Sequence, residues 1–219
     1  MSFSAMLQTW LSVLTKPGED IFREIQEGPN ATLQSATIWI IIATLISAVL
    51  GVVSSVTNSF VFAQMGDNIE LALADIDPIV AAQIRTSLEL SLPNLASTFC
   101  VTLLVTPIAF FIGSVIYFAI AKLLGGLSDF ERHTYVLAAI SAPIMVVMAI
   151  VNIVPLLGAC IGLLIWLYQL VLTYNAMKVS HNLGAGQAVL VTLSPFLIMT
   201  LFVCCIAMLI GGFVAAVSG

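Results

Sequence analysis

Charged residues divide the chain into long apolar windows. No Asp, Glu, Lys or Arg occurs in residues 28–66, 90–121, 133–177 or 179–219. A helix crosses the hydrocarbon core of a bilayer with ~20 apolar residues, so every window is long enough to span. The third is too long for one helix. At 1.5 Å per residue it would run to about 67 Å, over twice the ~30 Å core. Asn152, Pro155 and Gly158 sit near its middle, and Pro and Gly there predict a tight turn between two helices. The first window is too short for two spans and a turn. The fourth opens on Ser180, His181, Asn182, Gly184 and Gly186, which read as a loop. The pattern predicts five spans, near 35–62, 97–121, 135–153, 157–177 and 188–214.

The remaining stretches carry shorter periodicities. Phe3, Met6, Leu7, Trp10, Leu11 and Leu14 recur at helical spacing. They predict a short helix lying in the membrane interface with Trp10 as its anchor. The alternative, a helix packed on the inner face of the bundle itself, fits the same spacing. Ile21, Phe22 and Ile25 continue the pattern beyond Pro17. Between the first two spans, Asp77-Pro78 predicts a helix start, with Pro at the first helical position. Ile79, Ile84 and Leu88 would give that helix an apolar face on the membrane. Asn30 is a candidate cap for the first span.

Composition agrees with a membrane class. The chain is 61% hydrophobic and 8% charged, against roughly 25% charge in soluble domains. A net charge of −5 provides no basic footprint for nucleic acid. The expected fold is an all-α integral membrane protein: five transmembrane helices with an N-terminal interfacial helix. Residues 1–34 form the interfacial segment and 35–219 the membrane domain. Basic residues set the expected orientation. Lys16, Arg23, Lys122, Arg132 and Lys178 fall on one side, Arg85 on the other. A multi-pass protein of the cell membrane, N-terminus cytoplasmic and C-terminus outside, follows. The first residues lack the basic region of a cleaved signal peptide, so none is expected.

Little in the sequence points to catalysis. The predicted spans hold no Asp, Glu, Lys or Arg, whereas ion-coupled carriers place such groups in the membrane despite their cost. His133 and His181 read as solvated loop residues without a third metal ligand, and no nucleophile is paired with a base. No enzyme activity, cofactor or metal is expected. Cys100 and Cys160 lie at similar predicted depth, where pairing is conceivable. Small core residues are their default reading, and that of Cys204 and Cys205. Pro107, Pro143 and Pro195 fall inside spans and predict kinks, while Pro155 belongs to the turn. Small residues recur every fourth position: Ser47, Gly51, Ser55 and Ser59; Gly158 and Gly162; Ala207, Gly211 and Ala215. Such rows let helices approach closely in lipid, so Gly51, Ser55, Gly158, Gly162 and Gly211 are candidate packing or partner contacts.

The second half of the chain resembles the Yip1 domain family of small multi-spanning membrane proteins. The matching features are a small-residue helix with Ala142-Pro143 and the Ile-Val-Pro-Leu-Leu-Gly turn from Ile153 to Gly158. A helix with Trp166 and Tyr168, a turn with His181, and a final span entered through Gly186 and Ala188 follow. Leu14-Thr15-Lys16-Pro17 with Ile21, Phe22 and Ile25 resembles the start of that domain. The segment ahead of the first span is short, and the acidic-aromatic motif of eukaryotic members has no counterpart. The resemblance therefore implies the short bacterial and archaeal branch. The expected function is a non-catalytic scaffold or adaptor, binding membrane lipids and other membrane proteins or itself. The alternative is a channel or transporter for a small neutral or lipid-like molecule.

Overall fold

The computed structural model describes residues 3–64, 76–88, 92–154 and 157–218. Its elements are α1 (Phe3–Thr15), α2 (Glu19–Glu27), α3 (Leu33–Gln64), α4 (Pro78–Leu88), α5 (Leu92–Leu123), α6 (Phe130–Val151), α7 (Leu157–Ser180) and α8 (Ala185–Ser218). No strand occurs among the described residues. Five helices are long and apolar enough to cross a membrane: Leu33–Val61, Leu95–Leu123, Phe130–Val151, Cys160–Ser180 and Ala185–Cys205. The five expected spans are thus present. The third begins earlier than the apolar pattern suggests, because Asp129 caps it by accepting from the Arg132 backbone N–H at 2.8 Å. His133 therefore lies inside α6.

α6 is the central helix, touching α1, α2, α3, α5 and α7. Every residue from His133 to Ile140 is buried. Lipid offers no hydrophobic drive between helices, so close packing must hold them. Ala138, Ala139 and Ala142, all fully buried, provide small surfaces for that approach. α5 is the opposite case. Only 6% of its most apolar 18-residue window is buried, against 56% for α6.

The amphipathic start of the chain folds back onto the bundle. Trp10 is buried, not an interfacial anchor, and its ring meets Trp39 edge-on at 6.4 Å. Trp39 in turn lies 4.8 Å from Tyr135. The periodicity is compatible with either environment; aromatic packing across α1, α3 and α6 decides between them. Phe3, Leu7 and Leu11 remain exposed on the other face of α1, so this helix is apolar on two sides. Tyr168 Oη donates to the Leu14 carbonyl, Asn175 Nδ2 donates to the Pro17 carbonyl, and Lys178 pairs with Glu19. Three positions of α7 thereby clamp the α1–α2 corner.

Other local expectations divide. Asp77 caps α4, accepting from the Ile79 N–H at 2.8 Å. Ile79 is exposed. Thr32, not Asn30, caps α3 by accepting from the Ser35 N–H, and Glu131 accepts from the Leu33 N–H. α5, α6 and α8 continue as helices through Pro107, Pro143 and Pro195. Pro195 removes the N–H that would bond the Val191 carbonyl, and Ser194 Oγ donates to that carbonyl at 2.6 Å instead. Pro155 lies outside the described residues. The four cysteines are unpaired and exposed from the bundle, which corrects their reading as core residues.

Candidate functional site

α5 and α7 end in the same backbone motif. Gly126 N–H reaches the Ala121 carbonyl while Gly125 N–H reaches the Lys122 carbonyl. Leu183 N–H reaches the Lys178 carbonyl while Asn182 N–H reaches the Val179 carbonyl. Both are Schellman caps, each with its pivotal residue at positive φ, 91° at Gly125 and 52° at Asn182. The two turns lie together, and Leu127 N–H donates to the His181 carbonyl. This places His181 against the start of α6.

His133 and His181 are fully buried and bonded to each other, Nδ1 to Nε2 at 2.8 Å. The reading of both as solvated loop residues is corrected. His133 Nε2 lies 3.0 Å from the Ser114 carbonyl, which only accepts, so that nitrogen carries the proton. In the neutral ring His133 Nδ1 then accepts, and His181 Nε2 must donate. His181 Nδ1 is left as a buried acceptor with no partner. Phe118 packs edge-on to His133 and tilts against His181, and Phe130 stacks on His133. Lys122 lies over the Phe118 ring at 5.4 Å. Ser114 and Thr134 share a further buried hydroxyl contact at 3.0 Å. His181 is pushed down to about 4 by its burial, with Lys122 adding to the effect and Asp129 opposing it. Burial thus favours the neutral form of His181 at neutral pH. Among the described residues no three His, Cys, Asp or Glu side chains are placed to hold a metal.

The other end of the bundle is open. A cavity of about 650 Å³ lies between α3, α6 and α7. Ser47, Ser141 and Gln169 line it, each at or beside the midpoint of its span. It extends past Asn58 to the α6–α7 turn at Asn152, Val154 and Gly158. Asn58 Nδ2 donates to Ser54 Oγ, which donates to the Asn152 carbonyl at 2.6 Å. The structure thus divides into a half packed around the histidines, with a smaller cavity of about 380 Å³ between α1 and the start of α3, and a polar, hollow half.

The small residues distribute between these halves and the helix contacts. Gly51 borders the cavity, and a β-carbon there would meet only Thr98 at 3.8 Å. Ser55 bonds the Gly51 carbonyl of its own helix. Gly158 is crowded by the turn: a β-carbon would lie 2.6 Å from Asn152 Oδ1. Gly162 faces Met148 of α6, at 3.2 Å from such a carbon. Gly211 lies in α8, and its surroundings fall outside the described side chains. Sequence reasoning misses the histidine pair and the cavity. No local motif marks the pair; the sequence shows only that both residues lie at the end of α6 and α7 away from the turn that joins them.

Comparison with curated proteins and with solved structures returns no match. The model of the Yip1 domain matches residues 11–215. That match runs from the end of α1 through α2 and all five spans, and the chain belongs to the Yip1 domain family.

Proposed function

We propose that the protein is a non-catalytic membrane scaffold or adaptor that binds membrane-protein partners or organises the bilayer. The close packing around the histidine pair carries this reading. A solute path would have to cross Trp39, Tyr135, His133, His181, Ile140 and Leu172, all buried. α5 supports it as well, since Val101, Leu104, Val105, Ile108, Ile112 and Val115 are exposed to lipid or to a partner helix. The second reading, a channel or transporter for a small neutral or lipid-like molecule, is favoured by the depth of the cavity. Membrane carriers place their sites near the midplane. Reconstituted liposomes separate the two. No uptake driven by a proton or sodium gradient is expected. Gly211→Leu is expected to reduce co-purification of a partner or self-association in mild detergent. Gradient-driven uptake above protein-free liposomes, abolished by a substitution within a span, would promote the second reading.

The orientation proposed is N-terminus in the cytoplasm and C-terminus outside. Lys16 follows α1, Arg23 lies within α2, Lys122 ends α5, Arg132 opens α6 and Lys178 ends α7. These positions gather at the histidine end of the bundle, which the positive-inside rule assigns to the cytoplasm. Single cysteines in a background without native ones test this. Positions 77 and 217 should react with an impermeant reagent only from outside, and position 18 only from the cytoplasm. Reaction of position 217 from the cytoplasm alone would sink the assignment.

A further inference from the structure

The geometry points to the cavity between α3, α6 and α7 as a binding site for an uncharged, hydroxyl-rich group. That group is either a free polyol or sugar, or the headgroup of a neutral glycerolipid or glycolipid. The inference goes beyond the scaffold reading and stands independently of it.

Size comes first. A volume of about 650 Å³ is far more than a packing defect. It falls in the ~300–1,000 Å³ range of small-molecule sites, and equals the space of roughly 20 water molecules at ~30 Å³ each. Unpaired polarity at depth is the second observation. Ser47 Oγ is buried without a hydrogen-bond partner. Among the described residues, Ser141 and Gln169 form no side-chain hydrogen bond either. Polar groups at the centre of a membrane bundle are costly unless satisfied, and here no neighbouring helix satisfies them. Whatever fills the cavity, water or a bound ligand, must do so.

The lining then selects the class. No charged side chain lines the cavity, so nothing there would neutralise a phosphate, carboxylate or ammonium group. An ion at this depth would bear its desolvation without a counter-charge. Hydroxyl and primary amide groups each both donate and accept. Ser47, Ser141 and Gln169 therefore match a ligand whose groups also do both, which is the property of a hydroxyl. Between Ser141 and Asn152 the α6 wall is apolar, with Ile144, Met145 and Met148. Such a wall suits the C–H faces of a sugar ring or the first methylenes of an acyl chain, and Met adapts to either.

The test uses the full chain in an amine-oxide detergent, since a maltoside detergent would itself occupy the site. Native mass spectrometry would measure binding of dioleoylglycerol, monoglucosyl dioleoylglycerol, dioleoylphosphatidylglycerol, free glucose and free glycerol. At least one neutral hydroxyl ligand should bind tenfold tighter than the phosphatidylglycerol. Gln169→Leu should weaken it tenfold or more, without lowering the melting temperature of the free protein. If that variant fails to fold, Ser141→Ala carries the test, with an expected loss of threefold or more. Binding of the lipids without the free polyols assigns a headgroup; binding of the free polyols assigns a soluble source. Binding of no neutral ligand above the phosphatidylglycerol, or unchanged binding by the folded variants, overturns the proposal. Loss of a protein partner would leave this binding untouched, so failure of the scaffold reading is a separate result.

Discussion

Gly126→Ala is expected to destabilise the bundle by about 3 kcal/mol, near the upper end of overpacking costs. A β-carbon at this position would lie 2.5 Å from His181 Nδ1 and 2.7 Å from the Ala121 carbonyl oxygen. Neither neighbour can give way cheaply. The carbonyl belongs to the cap of α5, where it accepts the Gly126 N–H. The imidazole is held by His133 on one side and by Phe118 on the other. Moving either would unmake the contact that joins the ends of α5 and α7. Gly113→Ala is the control, because a β-carbon there would meet nothing within 4 Å. Thermal unfolding in detergent should show a fall of several degrees for Gly126→Ala and no change for Gly113→Ala. Equal melting temperatures for the two variants would mean that the turn accommodates a methyl group and that the histidine is not locked.

Acid should weaken the wild type through His181. Its folded value is about 4, against 6.5 for an ordinary histidine. Between those values the unfolded chain binds the proton more readily, so stability rises with pH across this window. The contribution is fully present above about pH 6.5 and is lost progressively as pH falls towards 4. Its ceiling is about 3 kcal/mol, since each tenfold difference in proton affinity corresponds to about 1.36 kcal/mol. The structural cause is visible at Nδ1, which would become a donor facing Gly126 with no acceptor at hand. His181→Leu should already be less stable at pH 7.5 by about 1–3 kcal/mol, since His133 Nδ1 then lacks its donor. The same variant should lose much of the melting-temperature decline between pH 6.5 and 4. An unchanged decline in His181→Leu would assign the acid sensitivity to other groups.

The spans are legible in the sequence because the signal is one-dimensional. Exclusion of charge over residues 28–66 or 179–219 follows from the bilayer alone and needs no knowledge of neighbours. The Asp77-Pro78 start is legible for the same reason, since a cap is a local event. The direction of Trp10 is not. Met6, Trp10 and Val13 are buried while Phe3, Leu7 and Leu11 are exposed, and both sets are apolar. No amphipathic contrast marks which side the bundle takes. The histidine pair joins residues 48 positions apart, and only the pairing of α6 with α7 brings them together. The cavity is hidden differently. Ser47, Ser141 and Gln169 look like ordinary interhelical bonders until the helices are seen to leave them unpaired.

The clamp on the N-terminal corner has a consequence for biosynthesis. Its partners are separated by 154 residues for Tyr168 and Leu14, 158 for Asn175 and Pro17, and 159 for Lys178 and Glu19. A ribosome adding ~5–20 residues per second needs about 8–30 s to cover that distance. Throughout this interval the first helices made have no seat on α7. Trp10 can meet Trp39 of α3 before then, but the α1–α2 corner has none of its three bonds to α7. The α1–α2 corner is thus locked in place only after the fourth span has been inserted.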